Sequence, residues 1–107
     1  MSAEFYINAL NKEWMKIHSG LIIDKIKQLE TFVMEKTNEY WLLGFENREE
    51  PRRWLYDVRI IFTSDFILLE ISSHPPSIEN TIKEFLTWIR ERTIITVNDE
   101  DGEVSNW

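Results

Sequence analysis

The clearest pattern along the chain is an alternation. Trp54, Tyr56, Val58, Ile60 and Phe62 alternate with Leu55, Asp57, Arg59 and Ile61. This period of two predicts a β-strand over residues 53–63. Residues 40–46 precede it, and the run from Tyr40 to Phe45 is apolar on both faces, as in a central strand. Asn47 to Arg52, with Pro51, reads as a loop. Thr63-Ser64-Asp65 suits a tight hairpin, and Phe66 to Ser72 predicts a third strand. Connections this short imply antiparallel pairing.

Other segments carry a helical period. Leu10, Trp14, Ile17 and Leu21 form an apolar stripe, with Ser2 as a cap and Ser19-Gly20 as an end. Phe5-Tyr6-Ile7 is the competing reading, a short strand. Ile22, Ile26, Leu29 and Val33 predict a second helix, with Lys25, Lys27, Glu30 and Lys36 mostly on its far side and Thr37-Asn38 as its stop. His74-Pro75-Pro76 interrupts the sheet, because proline offers no N–H to a ladder. Ser77 is then the expected N-cap of a helix whose stripe is Ile78, Ile82, Phe85 and Ile89, with Leu86 beside it. Arg90 and Arg92 suit its C-terminal end. Thr93 to Val97 is rich in β-branched residues and predicts a fourth strand. The expected fold is α+β: one domain, 1–107, with an antiparallel sheet of three to four strands and helices on one face.

Charge changes the picture. The net charge is -7, from 19 acids and 12 bases. Nucleic acid is therefore an unsuitable partner, since it requires a basic footprint. Asp99, Glu100, Asp101 and Glu103 place four acids in five residues, and Trp107 follows shortly after. Glu46, Glu49 and Glu50 form a second acidic group in the loop before the alternating strand. Such surfaces suit a basic protein partner. Composition also bears on location. The chain has no Cys, no signal-peptide pattern, and no apolar run near the roughly 20 residues of a membrane span. A cytoplasmic protein without membrane association is the expectation.

Recognisable chemistry is sparse. Two His and no Cys make no zinc spacing. His18 reads as a helix-end residue, and His74 as a loop residue. Ser72 or Ser73 with His74 and Asp65 composes a triad on paper, without a nucleophile elbow to support it. Three isolated glycines form no phosphate cradle. Asp99-x-Asp101-Gly102 fails the EF-hand register. Asp57 and Arg59 read as a solvent-facing pair, with a sheet face used for binding as the alternative, and Glu70 as pointing to solvent or a strand edge, or paired if buried. Trp41, Trp54 and Trp88 are expected in the core. No enzyme activity, cofactor or metal is expected.

A short, acidic, Cys-free α+β chain rich in Trp and Tyr, with the tail Asp99-Glu100-Asp101-Gly102-Glu103 and Trp107, resembles the immunity proteins of bacterial polymorphic toxin systems, including contact-dependent growth inhibition. The resemblance also takes in the run from Trp54-Leu55-Tyr56-Asp57 to Ile94-Ile95. It implies that the protein binds a cognate toxin domain, often a nuclease, and blocks its basic active-site surface. The expected contact residues are Asp99, Glu100, Asp101, Glu103, Trp107, Glu46, Glu49 and Glu50. Two alternatives stand beside it: an acidic adaptor domain with no toxin link, and a small enzyme without a known motif.

Overall fold

The computed structural model describes residues 2–47 and 55–107. Its elements are β1 (Ala3–Ala9), α1 (Lys12–Ile17), α2 (Ser19–Lys27), β2 (Phe32–Lys36), β3 (Glu39–Leu42), a 3-10 turn (Phe45–Asn47), β4 (Val58–Phe62), β5 (Ile67–Ile71), α3 (Pro76–Arg90) and β6 (Ile95–Asn98). They form an α+β fold around a six-stranded sheet, in the order β2-β3-β4-β5-β1-β6, with every neighbouring pair antiparallel. The expected meander is present as β3-β4-β5. The expected three to four strands are corrected to six.

The additions lie where helices were expected. Residues 3–9 form a strand because Phe5, Ile7 and Ala9 face the core while Glu4, Tyr6 and Asn8 face away, a period of two that the Leu10–Trp14 spacing obscured. Leu10, Ile17 and Leu21 are exposed, so the stripe built on them is not the buried one. Asn11 caps α1 instead of Ser2: its side chain accepts the Trp14 amide at 3.0 Å. α2 ends at Lys27, well before Val33. Phe32–Lys36 is an edge strand, exposed beyond Phe32, so little alternation marks it. Thr37-Asn38 is the turn between β2 and β3, with Asn38 in the left-handed region at φ 60. Asparagine tolerates that conformation better than most residues.

α3 follows expectation along its buried stripe, where Ile78, Ile82, Phe85, Leu86 and Ile89 are all buried. Its start differs. Pro75 is the N-cap and Pro76 the first helical residue, where a missing N–H costs nothing. β5 and β6 run parallel with β1 between them, so α3 is a crossover that skips one strand. Ile22 and Ile26 of α2 join the α3 stripe against Ile7, Ile60, Leu69 and Val97 of the sheet.

The opposite sheet face has a small layer of its own. Arg59 donates to Glu70 through Nε and Nη2, at 3.1 and 2.7 Å, and to Glu39 through Nη1 at 3.2 Å. Its guanidinium is pushed above its ordinary value, chiefly by the hydrogen bonds to Glu70. Trp41 is buried beside it, under Tyr56 at 4.8 Å and Lys36 at 4.6 Å, and stands outside the main core. Trp88 is half-buried against that core, and Trp54 lies outside the described residues.

Candidate partner-binding end of the sheet

Strand direction decides which polar segments meet. Leu42 pairs with Val58, Val58 with Ile71, and Ile71 with Ala3, while Asn98 pairs with Tyr6. The end of β3, the start of β4, the end of β5, the start of β1 and the end of β6 therefore share one end of the sheet. Glu46 and the 99–103 segment, 53 residues or more apart in sequence, both leave the sheet there. Four strand spacings of about 4.8 Å separate β3 from β6, roughly 19 Å. A standard protein interface, about 800 Å² per partner, is roughly 30 Å across and reaches both segments.

The 99–103 segment is a built turn. One Asp99 carboxylate oxygen accepts the amides of Asp101 at 2.9 Å and Glu103 at 3.0 Å. The Asp99 amide donates to the Glu103 carbonyl at 2.8 Å, and the Gly102 amide to the Asp99 carbonyl at 3.0 Å. Gly102 sits at φ 82, where a Cβ is strained. Asn98 then bridges to Val104, and the Ser105 amide donates to Val97 at 2.8 Å, extending the sheet edge. Asp99 closes the turn, so it does have a structural task that the sequence pattern did not show. Glu100, Asp101 and Glu103 are exposed on it. The Glu4 amide donates to the Glu100 carboxylate at 2.9 Å, tying the turn to β1. Among the described residues, no ion pair neutralises Glu4, Asp99, Glu100, Asp101 or Glu103.

Trp107 folds back. Its ring meets Phe5 edge-on at 6.3 Å, and its carbonyl accepts from Arg90 at 2.6 Å. The half-buried indole therefore packs against the domain and anchors the segment that follows the acidic turn.

Glu46 is also held. The Ser77 hydroxyl donates to it at 2.5 Å, and the Ser77 amide at 3.2 Å. The Ser77 hydroxyl is the main reason its carboxyl lies below the ordinary glutamate value. The same hydroxyl accepts the Phe45 amide at 3.1 Å, so Ser77 braces the 3-10 turn and does not cap its helix. Beneath this contact, Asp57 accepts the Gly44 amide at 2.8 Å. Asp57 is fully buried, which corrects the expected solvent-facing pair with Arg59. The alternation hid this, because Asp57 precedes the strand and turns inward. Glu70 is paired with Arg59. Glu49 and Glu50 lie outside the described residues.

The possible catalytic groups do not converge. Asp65 is in the β4–β5 turn, at the far end of β5 from Ser72, Ser73 and His74. His74 places Nδ1 2.9 Å from Glu79 on an exposed surface. His18 joins α1 to α2, its Nδ1 2.9 Å from the Trp14 carbonyl and its ring stacked on Trp14 at 4.4 Å. Among the described residues, no group of three His, Asp or Glu side chains is placed to hold a metal ion. No helix of the described residues is long and apolar enough to cross a membrane. No family model matches the chain, and neither a curated protein nor a solved structure matches it.

Proposed function

We propose that this domain binds and neutralises a basic protein partner, a bacterial toxin domain of the nuclease class, in the cytoplasm, as immunity proteins do. The observation that carries the reading is the gathering of Glu46 and the acidic 99–103 turn at one end of the sheet, each held by hydrogen bonds. A nuclease is basic where it grips its polyanion, and an acidic surface of matching size occupies the same place. Because the turn is already ordered, binding loses little conformational entropy there. Unpaired carboxylates on a fixed turn accelerate encounter with a cationic surface, toward roughly 10⁸ M⁻¹s⁻¹ at low salt. Speed matters to an inhibitor that acts before its target does.

The test is whether a toxin domain is encoded beside the chain's own gene, followed by co-expression of the two. Rescue of growth and stoichiometric loss of nuclease activity in vitro are expected. Binding without inhibition, or failure to bind, removes the toxin-neutralising reading, and failure to bind leaves the adaptor reading, which has no toxin link, standing.

A further inference from the structure

At the sheet end opposite the acidic turn, the helix layer leaves a gap. α1 buries none of its residues, and the chain bends at His18 before α2 begins. Beneath that joint the sheet presents Ala9, whose side chain is a single methyl group. The result is an open cleft of about 540 Å³, within the roughly 300–1,000 Å³ of small-molecule sites. Ala9, Phe62 and Ile67 of the sheet line it, with Met15 and Ile23 of the helices opposite.

Its walls are braced. The Phe62 amide donates to the Asn38 carbonyl at 2.8 Å, joining the β2–β3 turn to β4. The Thr63 hydroxyl donates to the Phe66 carbonyl at 2.8 Å, and the Phe66 amide to that hydroxyl at 3.1 Å, fixing the β4–β5 turn. The rim carries unspent donors. Lys12 and Lys16 lie one helical turn apart on the same side of α1. Neither makes an ion pair among the described residues, and the Ser64 hydroxyl has no hydrogen-bond partner there. Asp65 is the one acid among the described lining residues. Two cations against one anion, over an apolar floor, suit a single negative charge on an apolar body.

We propose that this cleft binds a small amphiphile with one carboxylate head, its chain against Met15, Ile23 and Phe62 and its head between Lys12 and Lys16. The inference is independent of the toxin reading, since it uses the other end of the sheet.

The probe is decanoate below its micelle concentration, titrated into the full chain and followed by the methyl resonances of Met15, Ile23 and Ile67. Saturable shifts at these methyls are expected. Decanol is expected to bind more weakly, and decylamine more weakly still. K12Q/K16Q replaces two exposed side chains and leaves the core intact, as circular dichroism checks. It is expected to weaken decanoate by about threefold or more, in keeping with two rim ion pairs. No saturation, saturation with shifts confined to other methyls, decylamine or decanol binding as tightly as decanoate, or a smaller loss in K12Q/K16Q each overturns the proposal.

Discussion

The two ends of the sheet are opposites. One gathers Glu4 of β1 with Glu46, Asp99, Glu100, Asp101 and Glu103 of two hydrogen-bonded turns, the Glu46 turn lying over a buried carboxylate. The other opens a cleft with an apolar floor and two lysines that make no ion pair among the described residues. Both include turns, yet at the first Glu46, Asp99 and Glu100 accept hydrogen bonds from backbone or hydroxyl groups, while at the second Lys12 and Lys16 make no ion pair among the described residues. The binding proposed for the acidic end therefore rests on charges held in place, and the binding proposed for the cleft on space left unfilled. The two are separable by mutation.

The largest expected effects lie under the acidic end. A Cβ on Gly44 meets the Ser77 hydroxyl at 2.8 Å, the Pro75 ring at 2.9 Å and the Asp57 carboxylate at 3.0 Å. Pro75 is rigid and Asp57 is buried, so neither yields readily. Gly44→Ala is expected to cost about 2–3 kcal/mol in urea denaturation. Asp57→Ala removes the buried acceptor of the Gly44 amide, with an expected loss of about 2–3 kcal/mol. A loss under about 0.5 kcal/mol in both breaks the claim that this junction supports the acidic end.

Trp107→Ala comes next. The indole is half-buried on Phe5, so a loss of about 1–2 kcal/mol is expected, less than for a fully buried aromatic. Increased amide exchange from Val104 onward is the accompanying sign, because that segment loses its anchor.

The sharpest division comes from charge. E100Q/D101N/E103Q leaves the Asp99 turn intact and is expected to leave stability nearly unchanged. Association with the proposed toxin partner should slow by about tenfold at low salt, with a flatter salt dependence. Decanoate binding should be unaffected. K12Q/K16Q should show the reverse, with weaker decanoate binding and no loss of toxin association. A variant that moves both readouts merges the two ends into one site.

The smallest effect is in pH. Glu46 has a lowered pKa in the folded chain, so its stabilising contribution is present above the ordinary glutamate value of 4.5 and is lost as pH falls below it. The stability difference between the native chain and Glu46→Gln should be largest at neutral pH and vanish in acid. A pH-independent difference between them refutes a role for the ionised Glu46–Ser77 contact.

Particular residues show what was legible beforehand. Val58, Ile60 and Phe62 announced an inward face because each strand neighbour repeats the same two-residue register. Ile78 to Ile89 announced α3 because helical spacing puts those residues on one stripe. Phe32 to Lys36 stayed hidden: an edge strand packs on one side only, and most of its residues are exposed. Residues 3–9 alternate, and Phe5-Tyr6-Ile7 stood as the competing strand, yet the helical spacing of Leu10, Trp14, Ile17 and Leu21 obscured it, and only the pairing with 67–71 and 95–98 decides between them. The acidic residues of the turn were visible as charge, but Asp99's role as its closing acceptor was not. The cleft gave no signal, since a cavity is a property of what fails to touch.

The sequence alone therefore determined the α+β class, the absence of a long apolar span, the buried stripe of α3 and the net negative surface. These depend on composition and near-neighbour period, which the unfolded chain already carries. Only the tertiary structure decided that the sheet has six strands, that Asp57 is buried, that both described acidic segments share one end and that Lys12 and Lys16 overlook a cleft. The strand count and the shared acidic end follow from strand pairings across long stretches of chain, where hydrogen-bond direction, and not local hydrophobicity, sets which ends meet, whereas the burial of Asp57 and the cleft follow from how loops and helices pack on the sheet.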